Sequence, residues 1–546
     1  MLVSKTNSLV NNLLAHQKIQ NIENISRFPY ESVGEMLLKQ SVKYGEKSFV
    51  MFPGLDKLEF SYRSFARSCI IISQYLRGLG LSSSDRFSLI ANNSFEFLVY
   101  YFSGLINNIT VVPINPELTP VEMEYIVRDS ESKVVIYDVN IIDKIKKFKL
   151  FFNSSIIFKS MSQDKIHKDK IKGISLTDDF NYDLVKNTDE AVIIYTSGTT
   201  GNPKGVILTH LNLLVDAQSI SEWFQFNSNT RTLCILPLFH NNAQVTTLLA
   251  PLYAGGSTVM VKGKASINLF WDIINYYNVT WTSVMSSILS ILLDLPTDRE
   301  DESLEGILCG GQILTESVQK SFEGRFNVPI FEGYGLTETT SFSCINTYPA
   351  HKRRKGSIGN QLPCNEIKIL NDNNLELCPY DIGQICIRGL NVAKGYLNLE
   401  EKNNISFSDG WFHSGDYGYV DEDGYFFFQG RKDSLIIKGG ENIYPAEIEN
   451  VFYDHPEVIE CAAVGIPDRL LGEDICVFVK CRIGSDIEET DLIKFCSDKI
   501  AGFKQAKFII LINKLSDMSE LPKGPTKKVL YHKLKDYYIN NFSSRI

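Results

Sequence analysis

A chain of 546 residues is too long for one hydrophobic core, so two or more domains are expected. Apolar residues at 44% and charged residues at 22% make the mix of an ordinary globular enzyme. The net charge of −9, with no basic block to neutralise phosphates, speaks against nucleic acid as a partner.

In chain order, the opening stretch MLVSKTNSLVNNLLAHQ lacks the compact apolar core and small-residue cleavage site of a signal peptide. Apolar runs then alternate with helix-period segments: RFSLIANN, NITVVPIN, KVVIYD, AVIIYTS, TLCILPL, STVMV and TWTSVM. Such alternation predicts α/β layering, with strands buried on both faces. The lysine-rich stretches DKIKKFK and QDKIHKDKIK read as a solvated face. Thr232 to Val261 contains no Asp, Glu, Lys or Arg. It also contains Pro237, Asn241, Asn242, Gln244, Pro251 and Gly255-Gly256, which predict buried elements of a core rather than a transmembrane segment. Between Gly356 and Gly430 the short runs NEIKILN, GQICIRG and GYFFFQG, parted by Asn, Asp and Gly, predict a β-rich region. After Arg431 an α+β pattern follows, with helices at AEIENVFYDH and DLIKFCSDKI and strands at IECAAVGIP and ICVFVKC. A boundary is expected at residues 430 to 434. The 11 cysteines form no CxxC pair, which fits a reducing, cytoplasmic setting, and no paired Cys/His cluster predicts a metal cage.

Between the run AVIIY and the next apolar pattern, read here as a helix, lie Thr196 to Gly205. These ten residues hold three Gly, four Ser or Thr and Lys204. Glycines let backbone amides approach an anion, hydroxyls donate further hydrogen bonds, and a lysine adds charge, so a polyphosphate is the expected occupant. The loop is not a Walker A motif, because GxxxxGK[ST] is absent.

The segment YTSGTTGNPKGV resembles the phosphate loop of the adenylate-forming enzymes: acyl-CoA synthetases, peptide-synthetase adenylation domains and beetle luciferases. Further segments resemble that family's signatures in order: PLFHNN at 237, CGGQIL at 309, EGYGLTET at 332, GQICIRG at 383, GWFHSGDYG at 410, GRKDSLIIKGGENIYPAEIE at 430 and LPKGPTKK at 521. The resemblance implies a large N-terminal α/β domain of several subdomains, residues 1–432, with a β-rich part at about 356–430. It also implies a small mobile α+β C-terminal domain, residues 433–546. The implied activity is ATP-dependent joining of a carboxylic acid to a thiol. An acyl-adenylate forms with release of pyrophosphate, and the acyl group then passes to CoA. A carboxylate is already ionised at neutral pH, so its attack needs no general base. What it needs is stabilisation of charge at the phosphate.

By the same resemblance, Thr196, Ser197, Gly198, Thr199, Thr200, Gly201 and Lys204 hold phosphates. Gly310, Gly311 and Gln312, with Glu332, Gly333, Tyr334 and Gly335, flank adenine and the acyl pocket. Thr337 touches the α-phosphate and Glu338 holds Mg²⁺. Asp416 and Arg431 take the ribose and phosphate. His240 stands beside the attacking carboxylate, and Asp433 is the hinge. Gly439, Gly440 and Glu441 face CoA, and Lys528 is the adenylation lysine. Asn241, Asn242 and Gln244 either line the pocket for a polar or short acid or satisfy backbone groups. Three departures stand out: Lys527 where the family has Gly, Ser286 where Pro is common, and Gln384 where Glu is usual. The implied small molecules are ATP, Mg²⁺, CoA and a small carboxylic acid, with fatty acids among the candidates. The alternative is a stand-alone adenylation enzyme that loads a separate acyl or peptidyl carrier protein. A luciferase-like oxygenase needs only another substrate. A non-catalytic nucleotide sensor fits poorly with retention of Lys204, Glu338, Asp416, Arg431 and Lys528.

Overall fold

The computed structural model describes residues 28–54, 58–152, 156–161, 185–196, 203–262, 264–297, 299, 302–312, 314–482, 484–524 and 529–542. Two sheets form the larger part. Six strands of the first lie, in spatial order, at Ser48–Phe52, Ser257–Met260, Arg231–Cys234, Trp281–Val284, Gly306–Cys309 and Ile330–Tyr334. They run parallel within a nine-stranded sheet. Burial on both faces explains why aliphatic, aromatic and small hydroxyl residues make up most of them. Trp281 anchors this sheet, with ring centroids 5.0 Å from Phe224, 5.6 Å from Phe226 and 5.6 Å from Phe331. Each such pair adds about 0.5–1.5 kcal/mol beyond its buried area.

The second sheet orders its seven strands as Gly395–Tyr396, Lys204–Thr209, Glu190–Thr196, Thr110–Ile114, Arg86–Ile90, Val134–Tyr137 and Ile157–Ser160. Here one expectation is corrected. The phosphate-loop candidate does not join a strand to a helix. Glu190–Thr196 and Lys204–Thr209 are antiparallel partners, with Tyr195 opposite Gly205 and Thr196 opposite Lys204. The helix begins only at His210, where Thr209 and Asn212 form a capping box. The stretch GVILT is too short for periodicity to separate strand from helix, and its β-branched residues decide for strand.

A third, antiparallel sheet comprises Asn365–Leu370, Gly383–Gly389, Trp411–Val420, Phe407–Ser408 and Phe426–Arg431. Beyond it, Val458–Asp468 and Gly472–Cys481 pair in antiparallel register, with Phe508–Leu511 parallel to the latter. Two apolar clusters drawn only from residues 436–542 cover the faces of this last sheet. The architecture is mixed α/β throughout. Among the described residues, no helix is long and apolar enough to cross a membrane. All eleven cysteines are free.

Candidate active site

In an open parallel sheet, ligands bind beyond the carboxyl ends of the strands. The sequence places its motifs there. Cys234 leads to His240, Val284 to Ser286, Cys309 to Gln312, and Tyr334 to Glu338. Gly310 and Gly333 lie side by side at two of these strand ends, packed against Phe342.

Thr337 to Thr339 form a short 3-10 turn in which Glu338 is buried. Tyr396 donates its hydroxyl proton to Glu338 Oε1 at 2.8 Å, and the Lys204 Nζ sits 4.5 Å from the centre of the Tyr396 ring. A cation over a π-face is attracted by the ring's quadrupole. Burial lowers the Lys204 pKa from its usual value, and the nearby Glu338 opposes that shift. Among the described residues, the second Glu338 oxygen has no hydrogen-bond partner. One hard carboxylate oxygen suits Mg²⁺, which takes few protein ligands and completes its shell with water and phosphate oxygens.

On the neighbouring antiparallel sheet, Asp416 lies opposite Arg431. Arg431 Nε donates to Asp416 Oδ1 at 2.7 Å, and the Tyr334 hydroxyl donates to Oδ2 at 2.6 Å. Asp416 pushes the Arg431 pKa up. Burial and the same carboxylate raise that of Tyr334, which therefore stays a neutral donor. Tyr334 also stacks on Phe428, with centroids 6.2 Å apart. Lys204, Glu338, Tyr334, Asp416 and Arg431, spread over more than two hundred residues of sequence, thus gather into one site. Thr196 borders it, with a buried hydroxyl that has no partner among the described residues. Ser197, Gly198, Thr199, Thr200, Gly201 and Lys528 lie outside the described residues.

The turn carrying Glu338 ends in an unusual bend. Thr340 has φ 69° and ψ −65°, and the Ser341 amide donates to the Thr339 carbonyl at 2.8 Å. This is the positive-φ γ-turn, strained for a β-branched residue. Its surroundings hold it. The Thr340 hydroxyl donates to the Asn391 carbonyl at 2.6 Å, and Asn391 Nδ2 to the Thr339 carbonyl at 3.2 Å. The Asn241 amide donates to the Thr340 carbonyl and, at 3.4 Å, to that of Leu336. Ala393 N–H donates to the Glu338 carbonyl at 2.8 Å. The loop before it is fixed by Asn212 Nδ2, which donates to Leu390 and Val392 carbonyls at 2.7 and 2.9 Å.

For Asn241 and Gln244, the two roles left open by the sequence are now separated. Asn241 serves backbone carbonyls. Gln244 is fully buried, accepts from the Tyr101 hydroxyl at 2.9 Å and donates to the Leu238 carbonyl at 2.7 Å. His240 is half-buried at the start of the helix Asn241–Gln244, its ring 4.7 Å from that of Phe239. Asp433 lies exposed in the short turn Lys432–Ser434, and its charge reaches Lys204. Gly439 and Gly440 have φ of 61° and 91°, and Glu441 beside them is exposed. Tyr396, Asn391 and Asn212 were not singled out in the sequence. Each lies in an unremarkable local context, and only the folded chain brings it to Glu338.

Glu332 is buried at a strand end, where burial and then the Glu316 charge raise its pKa from 4.5 to about 8. The Leu314 amide, 3.4 Å away, opposes the shift. The folded state therefore holds this proton more tightly than the unfolded chain. The stability it contributes is full below pH 4.5 and lost as pH rises through about 8. Glu332→Gln should remove that loss. In thermal unfolding, the variant's Tm should gain on the parent's by about 2 °C or more between pH 5 and pH 9. Parallel profiles would contradict a neutral Glu332.

Comparison with known proteins points the same way. The model of the AMP-binding enzyme family matches residues 37–397, and that of the AMP-binding enzyme C-terminal domain matches residues 447–523. The probable CoA ligase CCL9 of Humulus lupulus is 30% identical over 527 residues, covering 93% of this chain and 97% of that protein. The oxalate–CoA ligase of Arabidopsis thaliana is 32% identical over 456 residues, covering 81% and 87%. The crystal structure of ATP-bound MatB from Rhodopseudomonas palustris superposes with a TM-score of 0.83 at 26% identity, covering 92% of this chain and 99% of that one. With the family's model spanning most of the chain and CoA ligases among its relatives, this protein belongs to the AMP-binding enzymes.

Proposed function

We propose that the protein is an AMP-forming acid–CoA ligase. The observation that carries this reading is the gathering of Lys204, Glu338, Tyr334, Asp416 and Arg431 around the carboxyl end of the strand Ile330–Tyr334. Arg431 and Tyr334 orient Asp416, whose remaining lone pairs can accept from a ribose diol. Lys204 and Arg431 offset the charge gathered when a carboxylate meets the α-phosphate. Tyr396 fixes the Glu338 carboxylate for Mg²⁺, which when bound would draw charge from the phosphates. Thr337 stands at the start of the same turn and would offer its hydroxyl to the α-phosphate. Lys528 completes the charge from the C-terminal domain. We divide the chain at 432/433, with Asp433 as the hinge about which the smaller body turns. That turn would bring Gly439, Gly440 and Glu441 toward the pantetheine thiol of CoA. The named CoA-ligase relatives support CoA over a carrier protein as acceptor, and the eleven free cysteines fit a cytoplasmic enzyme.

The test is pyrophosphate release with a panel of carboxylic acids, with and without CoA. We expect acid-dependent release at a low rate without CoA and sustained thioester formation with it. Release that ignores the acid, or thioester formation only on a carrier protein, would overturn the reading.

A further inference from the structure

Resting on the ligase reading, we infer that the acid pocket takes an acid bearing a second acceptor oxygen beyond its reacting carboxylate. Asn242 and Gln312 are the residues that select it. The argument turns on which end of each amide is already used.

Asn242 follows Asn241, whose own amide holds the turn of Glu338, so Asn242 stands next to the reacting centre. The fully buried Ser283, on the neighbouring strand Trp281–Val284, donates its hydroxyl proton to Asn242 Oδ1 at 2.9 Å. Just past that same strand, the Ser286 hydroxyl donates at 3.4 Å to Oε1 of Gln312, which follows the adjacent strand Gly306–Cys309. In both amides a serine occupies the carbonyl oxygen and fixes the side-chain plane. Each oxygen keeps one lone pair, but the NH₂ group on each amide has no hydrogen-bond acceptor at all among the described residues, so donors are the larger unmet need. Both amides are half-buried, as is Ser286. Ser286 stands where the family commonly has Pro, which could not make this contact.

A pocket wall with two unused donors recognises acceptor oxygens. An alkyl chain laid there would strip water from both amides and return nothing, and a site built to donate rejects such a ligand strongly. A ketone, a hydroxyl or a second carboxylate shares the required chemistry.

The test uses non-reactive acyl-sulfamoyl adenosines, which mimic the acyl-adenylate and report binding without turnover. Three acyl groups of equal length are compared by calorimetry: a straight alkyl chain, its keto analogue and its terminal carboxylate. Tight binding of any of them, relative to AMP, bears on the ligase reading. The ratio among them bears on this inference. We expect one or both oxygen-bearing mimics to bind about tenfold or more tightly than the alkyl mimic. The carboxylate and keto arms tell which oxygen is preferred. Asn242→Asp and Gln312→Glu replace each donor by an acceptor of the same shape, and each should collapse that ratio or invert it. AMP, which lacks an acyl group, is the control for a folded site. Equal binding of the three mimics, a preference for the alkyl chain, or a ratio unchanged in both variants would overturn the inference. Failure of all three to bind better than AMP would overturn it together with the ligase reading.

Discussion

Glu338→Gln should stay folded and lose about 10²–10³ in the rate of adenylate formation. Glutamine has the shape of glutamate, and its carbonyl can still accept the Tyr396 hydroxyl that now reaches Glu338 Oε1. The backbone bond from Ala393 N–H to the residue 338 carbonyl does not involve the side chain. What disappears is one negative charge in a buried turn, facing Lys204 across the Tyr396 ring. Without it a divalent cation lacks its protein ligand, and the phosphates keep charge that the transition state must spread. The measurement is pyrophosphate release over a wide range of Mg²⁺, with circular dichroism to establish the fold. Turnover equal to the parent's at ordinary Mg²⁺ would remove Glu338 from the mechanism.

Gly335→Ala should do more damage, by a different route. A Cβ added there would lie 1.5 Å from the Ser341 carbonyl oxygen and 2.8 Å from Phe342 Cα. Both obstacles are backbone atoms and cannot swing away. Ser341 belongs to the γ-turn, so relief requires the turn to unlock from Asn241 and Asn391. The expected cost is roughly 4–5 kcal/mol, the range reserved for a few severe mechanisms. That is a large share of a total stability of roughly 5–15 kcal/mol. Gly311→Ala is the comparison. Gly311 has φ 81°, but among the described residues, its chain neighbours aside, no atom lies within 4 Å of the added methyl. Strain alone should cost about 1–2 kcal/mol. Denaturant unfolding of the two variants separates collision from conformation. Similar small losses for both would show that the turn yields easily.

Much of this was legible in the sequence for a physical reason. Buried parallel strands are largely apolar along their length, so RFSLI, TVVPI and VVIY stand out in the sequence. Glycines with charged residues close after them marked the turn of Glu338 and the strand segment that carries Asp416. The GVILT run failed because five residues are too few to show a period. Asn241 and Gln244 read equally as pocket residues or as partners of the backbone, and Asn241's carbonyl partners, Leu336 and Thr340, appear only when distant segments meet. Tyr396 was invisible for the same reason. Its neighbours Gly395 and Leu397 give no sign that a lysine and a glutamate from elsewhere converge on its ring.

The Asn212 clamp has a consequence for how the protein is made. Its amide caps a helix and holds the Leu390 carbonyl, 178 residues later in the chain. Likewise Lys394 reaches back 204 residues to Glu190, at the base of the hairpin. A ribosome adding about 5–20 residues per second needs ~10–40 s to supply those later partners. Until then the second sheet lacks its edge strand Gly395–Tyr396, and Lys204 has no aromatic ring beneath it. Such distant pairings also slow folding itself. The nucleotide site is therefore among the last parts of the larger body to exist. During synthesis the strand Lys204–Thr209 therefore carries an unpaired edge until Gly395–Tyr396 arrives.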